Sequence, residues 1–184
     1  MINQIINLDE INSTQTLAKE MAEGGAADGT LIVAKTQTAG RGQFERIWDS
    51  QAGGLYFSVI LRPQKTADKT ASLTVKIAQA VCDILDELYG IKSKIKPPND
   101  VLAYDAAKKE YRKICGILTE SATTDNKTDW VVVGVGINLN NNLNKTLPAT
   151  SVKNLTEKPV DENNFRREFF SLLSARYAQW LKSV

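Results

Sequence analysis

The sequence contains no histidine. Ser-His-Asp and Cys-His catalysis are therefore excluded, and so is any zinc site that needs an imidazole ligand. General acid or base chemistry would have to use a carboxylate, a lysine, a tyrosine or water. The set of candidate catalytic groups is thus narrow before any motif is considered.

Cysteine, net charge and long apolar runs are also scarce. Two cysteines, Cys82 and Cys115, are too few for a secreted disulfide scaffold of 184 residues, so we expect a reduced, cytoplasmic setting. Lys and Arg number 23 against 21 Asp and Glu, and this balance gives no signal for DNA or for a membrane surface. No run of apolar residues is long enough to span a bilayer, and residues 1–10 do not resemble a signal peptide.

The remaining composition is that of an ordinary globular protein, with 42% hydrophobic and 24% charged residues. Apolar residues at helical spacing predict three helices, over 12–23, over 69–89 with Gly90 as its stop, and from near Asp161 onward. Apolar runs predict strands at 31–36, 55–61, 92–96, 114–120 and 130–139. The polar stretches 123–129 and 138–145 are predicted loops.

Polar loops, rather than helices, separate the later strands. This order favours an α+β fold with a mixed or antiparallel sheet and helices on one side of it. With no repeat and no low-complexity linker, a single domain over residues 1–184 is the simplest organisation.

A loop between two predicted strands carries Gly40-Arg41-Gly42 and ends at Trp48. The glycines let the backbone approach an anion, and amide and guanidinium groups could bind phosphate or carboxylate. The loop is not a dinucleotide fingerprint, because Glu45 replaces the third glycine, and no Gly-Lys-Ser/Thr follows. By itself the pattern also suits an ordinary surface turn.

Two further segments place charge beside predicted strands. Pro97-Pro98 holds the chain extended, so that Asn99 and Asp100 could orient a nucleotide or its Mg²⁺. Lys113 precedes an apolar strand and could stabilise the charge that develops as pyrophosphate leaves. An everyday turn and an exposed lysine are the alternative explanations.

Small residues mark two more candidates. Along 130–139 one strand face holds Gly134, Gly136 and Asn138, which suggests that a ligand, another backbone or a closely packed helix lies against it. Ser13-Thr14-Gln15, at the start of the first predicted helix, could bind a urea or a carboxylate, or could simply cap the helix.

Taken together and in this order, the segments resemble the catalytic domain of biotin protein ligases, a class II synthetase-like biotin/lipoate ligase fold. The family's Ser-Thr pair is matched at 13–14, and its Gln-x-Ala-Gly-Arg-Gly loop ending in Trp is matched at 37–48. Its Lys-Trp-Pro-Asn-Asp element corresponds to 96–100, its Lys-x-x-Gly-Ile-Leu-x-Glu to 113–120, and its Gly-x-Gly-Ile-Asn to 134–138.

The resemblance implies a biotin-[biotin carboxyl carrier protein] ligase that uses ATP and Mg²⁺. Biotin would be activated as biotinyl-5′-AMP, with release of pyrophosphate, and the acyl group would pass to a lysine of a biotin carboxyl carrier protein. No DNA or membrane partner is expected, and a homodimer is possible.

The resemblance also implies site residues. Lys113 and Arg41 would be catalytic, and Asp100 would contact the metal. The implied biotin-binding residues are Ser13, Thr14, Gln15, Gln37, Arg41, Gly42, Gln43, Lys113, Gly116 and Leu118. The implied nucleotide-binding residues are Gly40, Arg41, Gly42, Gln43, Arg46, Trp48, Asn99, Asp100 and Asn138.

The sequence departs from the family pattern in several places. Gln43 stands where an arginine is usual, which removes a permanent cation and could make the adenylate intermediate leakier. Pro97 replaces the usual tryptophan and removes an aromatic surface. We expect a monofunctional ligase, because residues 1–184 leave no room for the winged-helix domain of bifunctional members. Residue 184 directly follows the last predicted helix, where many members continue into a small C-terminal β-barrel, so we expect a minimal ligase, a truncated chain or a different handling of the nucleotide.

Two alternatives remain open at this point. A lipoate or octanoate transferase relative would share the fold, although its usual lysine and cysteine or histidine signatures are not evident. A biotin- or adenylate-binding regulator that has lost catalysis would bind ligand without turnover.

Overall fold

The structure, a computed structural model, describes residues 1–144 and 146–182. The strands within these ranges are β1 (Gln4–Ile11), β2 (Thr30–Gln37), β3 (Leu55–Leu61), β4 (Ser93–Lys96), β5 (Asp100–Asp105), β6 (Glu110–Thr124) and β7 (Lys127–Ile137). The helices are α1 (Thr14–Glu23), α2 (Ala67–Tyr89), α3 (Val152–Thr156) and α4 (Glu162–Lys182). None of these helices is long and apolar enough to cross a bilayer.

All the strands belong to one sheet in the order β1-β2-β3-β7-β6-β5-β4. Only the β1–β2 pair is parallel among the described strands, and α1 provides its crossover; the other neighbours are antiparallel. The predicted α+β class with a mixed sheet is confirmed. The centre of the sheet joins β3 to β7, which brings the first third of the chain against the last third.

The helices cover both faces of this sheet. The two long helices, α2 and α4, pack on one face, where Phe57, Val59 and Val133 join the larger core. Helix α1 packs on the opposite face against Ile32, Ile60 and Val132. The prediction that the helices lie on one side of the sheet therefore holds for α2 and α4. It is wrong for α1, which packs on the other side. The physical reason is that β2, β3 and β7 are apolar on both faces, and each face needs cover.

The predicted elements differ from the observed ones mainly at the edges of the sheet. Strands β1 and β5 and the short helix α3 were not predicted, because each is short or interrupted by polar residues. The predicted loop at 123–129 is instead a tight hairpin, in which Asp125 and Asn126 turn with φ of 48° and 63°. The predicted loop at 138–145 is free of regular structure through Asn144, and residue 145 lies outside the described residues.

The aromatic side of α4 anchors the larger core. Phe169 is fully buried, with its ring centroid 6.1 Å from that of Phe57 and 5.9 Å from that of Phe165. Leu181, on the same helix, is 43% exposed. Phe169 and Leu181 therefore lie on the same helix but differ in burial.

We predict that Phe169→Ala lowers the free energy of unfolding by about 3–5 kcal/mol, because it leaves a cavity among aromatic rings. Leu181→Ala is the control and should change it by less than about 0.5 kcal/mol. Urea unfolding of both variants measures the difference. Equal effects would contradict this account of the core.

Candidate functional site

The candidate site is a small cavity on the α1 side of β6 and β7. Its free volume is about 50 Å³, which leaves room for a few water molecules. Most of the predicted biotin and nucleotide residues line it. They are Ser13, Thr14, Gln15, Gln37, Arg41, Gly42, Gln43, Trp48, Asn99, Lys113, Gly116 and Leu118.

Glycines make the wall of this cavity. Gly116 on β6 and Gly136 on β7 are paired across the two strands, and the Trp48 indole lies over both. A Cβ at Gly116 would come within 2.8 Å of the Trp48 ring, and one at Gly136 would clash with its indole nitrogen. Gly134 accommodates the Gln15 side chain in the same way. The sequence suggested that a ligand, another backbone or a closely packed helix lies against the glycine-bearing face. In the structure the side chains of Trp48 and Gln15 cover that face.

Hydrogen bonds between side chains form the floor. The Gln37 oxygen accepts the Thr14 backbone N–H at 2.8 Å, and the Thr14 and Ser58 hydroxyls lie 3.0 Å apart. Ser58 donates to the Gln15 oxygen at 3.0 Å, and Gln15 donates to Glu120 at 2.9 Å. Helix α1 begins here, and its N-cap is Ser13. The floor is therefore polar, buried and internally connected.

Both cations of the site are paired with carboxylates. Lys113 Nζ lies 2.7 Å from Asp100 Oδ1 and 5.2 Å from the centre of the Trp48 ring. The two terminal nitrogens of Arg41 lie 3.2 and 3.4 Å from the oxygens of Glu120. An anionic ligand could bind at either cation only by competing with its carboxylate or by joining the pair.

Asp100 is the predicted metal contact. No cluster of three His, Cys, Asp or Glu side chains occurs in residues 1–144 and 146–182, so the protein alone forms no metal cage there. Mg²⁺ commonly binds one or two carboxylates together with substrate phosphates, so the arrangement suits an ion that arrives with ATP. The metal role of Asp100 stays a prediction.

A second cavity of about 200 Å³ adjoins the first, and Trp48 and Lys113 line both. Its wall is mainly apolar and also includes Ile47, Asp49, Asn138, Leu143, Asn144, Leu147, Pro148 and Ala149. The Asn138 amide donates to the Thr150 carbonyl at 3.0 Å and accepts from Asn141 at 3.1 Å. The side chain of Asn138 therefore connects segments 138–144 and 146–150, which contribute much of this wall.

Three predicted nucleotide residues line neither cavity: Gly40, Arg46 and Asp100, the last of which is held by its ion pair with Lys113. Gly40 is buried, its carbonyl accepts the Trp48 backbone N–H at 2.9 Å, and a Cβ there would clash with the Trp48 backbone. Arg46 is exposed and lies over the Phe44 ring at 5.9 Å. A single 3₁₀ turn, with φ of 53° at Phe44 and 58° at Glu45, directly precedes it.

Two residues of the site were missed by the sequence analysis. Glu120 ends the motif that begins at Lys113, and strand alternation from Gly116 would have placed it on the glycine-bearing face. Ser58 is the one serine in the buried strand β3. Nothing in the sequence around Ser58 indicates that its hydroxyl meets α1.

Cys115 lies beside the site but cannot serve as its nucleophile. The thiol is fully buried on the opposite face of β6, and burial raises its pKa far above the usual range. The nearby charge of Lys113 opposes this shift but does not outweigh it. A neutral, buried thiol is inert.

Comparisons with known proteins place this site in context. Residues 8–138 match the model of the Biotin/lipoate A/B protein ligase family. The Bacillus subtilis bifunctional ligase/repressor BirA is 36% identical over 98% of this chain and 56% of its own length. A Paracoccus denitrificans biotin--[acetyl-CoA-carboxylase] ligase is 33% identical over 94% of this chain and 71% of its own length. The chain thus spans little more than half of the Bacillus relative.

Solved structures are similar as well. The Aquifex aeolicus biotin protein ligase in complex with biotin and ATP superposes with a TM-score of 0.76 and 32% identity, over 98% of this chain and 71% of that one. The Leishmania major biotin protein ligase in complex with biotinyl-5-AMP gives a TM-score of 0.74 at 23% identity, which bears on the fold alone.

We predict that Gly136→Ala displaces Trp48, because the new Cβ would occupy the position of the indole nitrogen. Acrylamide quenching of tryptophan fluorescence should increase. Gly24→Ala is the control, since a Cβ there meets only ordinary contacts, the nearest at 3.4 Å. Unchanged quenching in Gly136→Ala would contradict the described packing of Trp48.

Proposed function

The chain belongs to the biotin/lipoate A/B protein ligase family, and on that premise we propose that it activates biotin with MgATP and transfers it to a carrier protein. Biotin would be converted to biotinyl-5′-AMP, and pyrophosphate would be released. A lysine of a biotin carboxyl carrier protein would then receive the biotinyl group. The relatives named as biotin protein ligases support this choice.

The observation that carries the proposal is the position of Lys113 between the two cavities. The first cavity has a polar floor, and the second is mainly apolar and larger, as a purine base requires. An acid in the first cavity and a nucleotide in the second would bring carboxylate and α-phosphate together at Lys113. These are the two groups that the first step must join.

The first step brings two anions together. A carboxylate oxygen of biotin attacks the α-phosphorus, a new O–P bond forms, and the bond to the β-phosphate breaks as pyrophosphate leaves. Lys113 and Arg41 would offset the repulsion between the reactants and stabilise the charge of the transition state. The chain has no histidine, and this step needs no proton transfer to the acid, which reacts as its carboxylate.

In the second step the amine of the carrier lysine attacks the acyl carbon. The C–N bond forms, the bond between the acyl carbon and the phosphate oxygen breaks, AMP leaves with that oxygen, and the amine nitrogen gives up one proton to solvent. Until then the mixed anhydride must be kept from water. Trp48, Arg41, Gly42 and Gln43 line the first cavity, where they would cover it, and Gln43 in place of arginine would hold it less tightly.

The first cavity must open before it can bind biotin. Sites for ligands of this size measure about 300–1,000 Å³, far above the volume present here. Trp48 and Arg41 occupy the space above the floor and are the side chains that would move. We propose that the loop containing both is displaced by the ligand and then closes over it.

The alternatives are less well supported. A lipoate or octanoate relative would bind an apolar chain, whereas the floor here carries Ser13, Thr14, Ser58 and Gln15. Cys115 could not form a thioester, because it is buried and protonated. A non-catalytic biotin-binding regulator would keep the same floor and is separated from a ligase only by turnover. The cytoplasmic setting, the lack of a DNA partner and the possible homodimer stay predictions.

The test is ATP–pyrophosphate exchange with Mg²⁺ and biotin, run in parallel with lipoate and with octanoate. We expect exchange with biotin alone. Binding of biotin without exchange would favour the regulator, and exchange with octanoate or lipoate instead would favour the transferase relative. Transfer to a biotin carboxyl carrier domain, followed by mass spectrometry, then tests the second step.

We predict that Lys113→Ala lowers the rate of biotin-dependent exchange by about 10²–10³, because one charge that stabilises the transition state is lost. Lys108→Ala is the control: Lys108 is exposed in the β5–β6 turn and lines neither cavity. Circular dichroism checks that both variants fold. A rate within twofold of wild type in Lys113→Ala would remove Lys113 from the mechanism.

A further inference from the structure

Glu120 connects three parts of the site. Its carboxylate accepts from Gln15 Nε2 at 2.9 Å and lies 3.2 and 3.4 Å from the two terminal nitrogens of Arg41. Lys19 Nζ lies 3.8 Å away. Strand β6, helix α1 and the loop over the cavity thus meet at one carboxylate. Glu120 does not itself line the cavity in which biotin is proposed to bind.

The Gln15 amide has one orientation that suits its neighbours. Its nitrogen faces the Glu120 carboxylate and, at 3.5 Å, the Val132 carbonyl oxygen, and both groups can only accept. A flipped amide would set its oxygen against two acceptors. The Gln15 oxygen therefore faces Ser58, and the Ser58 hydroxyl must donate to it.

This orientation determines where the hydroxyl protons lie. Ser58 donates its one hydroxyl proton to Gln15, so it cannot also donate to the Thr14 hydroxyl, which lies 3.0 Å away. The Thr14 hydroxyl therefore donates its own proton, either to Ser58 or to the Gln37 oxygen at 3.1 Å, which also accepts the Thr14 backbone N–H. Thr14 and Ser58 are thus left with lone pairs, and they present acceptors to the cavity that they line.

Ser13, in contrast, can offer a hydrogen-bond donor to the cavity. Its oxygen accepts the Thr16 backbone N–H at 3.4 Å, and no hydrogen bond among the described residues uses its hydroxyl proton. The floor therefore combines the Ser13 donor with neighbouring acceptors. A ureido ring presents a carbonyl acceptor beside N–H donors, whereas a dithiolane or an alkyl chain presents neither.

We infer that Glu120 is a positioning residue, which holds the Gln15 amide in one orientation and so sets the donor and acceptor pattern that the cavity floor offers to a ureido ring. The inference rests on the proposed function, because biotin is the ligand assigned to this cavity. Glu120 acts through Gln15 and the two hydroxyls beyond it. Selection of a ureido ligand over a fatty acid would then depend on a residue that the ligand does not touch.

The loss of Glu120 has two opposing consequences for binding. Arg41 would be released to a ligand anion, which favours binding, and Gln15 would be free to flip, which disfavours it. The Arg41 side chain is 42% exposed, and ion pairs at such positions contribute little. The Gln15 amide is buried and bonded to a charged group, which is the stronger type of hydrogen bond. The second effect therefore dominates, and binding should weaken.

We predict that Glu120→Gln raises the Kd and the KM for biotin about tenfold, or about 1.4 kcal/mol. The KM for ATP and kcat should stay within about threefold of wild type. Glu110→Gln is the matched control, since Glu110 lies on the same strand, pairs with Arg112 and lines neither cavity. Calorimetry with biotin alone and exchange kinetics give the two sets of constants.

A second variant separates positioning from a general loss of stability. Ser58→Ala breaks the chain between Gln15 and Thr14, so adding Glu120→Gln to it should weaken biotin binding by less than threefold more. Additive losses would overturn the inference, because independent effects add whereas members of one network do not. If Glu120→Gln does not fold, Glu120→Asp, which keeps the negative charge, replaces it in the biotin-binding measurement. Its shorter side chain should give an intermediate Kd, and a Kd equal to that of wild type would count against the inference.

The outcomes also separate this inference from the proposed function. Wild-type protein that binds biotin without exchange overturns the catalytic proposal, while the calorimetry still tests Glu120. Equal Kd values for wild type and Glu120→Gln overturn the role of Glu120 alone. A wild-type chain that binds no biotin overturns both.

Discussion

The pairing of Gly116 with Gly136 is the constraint on which the site depends. Apart from Gly134, the other residues of β6 and β7 carry side chains, but at this pair the sheet surface is bare backbone on both strands. The Trp48 indole fills the gap, and this contact holds the end of the Gly40–Trp48 loop against the sheet. Glycine weakens a strand, and packing of the half-buried Trp48 indole against the pair offsets this loss of stability. The same contact places the loop that carries Arg41 beside Lys113.

The charges of the site follow from the same geometry. Once the loop lies on the sheet, Arg41 reaches Glu120, and Lys113 reaches Asp100 from the neighbouring strand. Each cation is therefore stabilised without a ligand, and a bound anion exchanges one partner for another. Such an exchange costs less than the removal of an isolated charge from water, and it keeps both cations close to the positions that the reaction would need.

The strongly periodic elements could be predicted from the sequence, and the edges could not. Strand β3 and helix α2 carry long apolar patterns with clear stops, whereas β1 and β5 depend on neighbours that sequence alone does not identify. In the site, the resemblance to a ligase family implied most of the residues that line the first cavity. Ser58 was missed because its role depends on where α1 crosses β3. Arg46 lies outside both cavities, after two residues with positive φ, and its nucleotide role stays a prediction.

Trp48 also links the two cavities, because it forms part of both walls. A ligand that displaces the indole from the first cavity changes the shape of the second, and the reverse must hold with the same free energy. On the proposed function, binding of biotin and binding of the nucleotide would therefore be coupled through one side chain. The coupling would need no conformational change in the sheet, since the glycine pair would stay in place while the indole moved. A rigid sheet with one displaced aromatic group would be enough to make each ligand sensitive to the other.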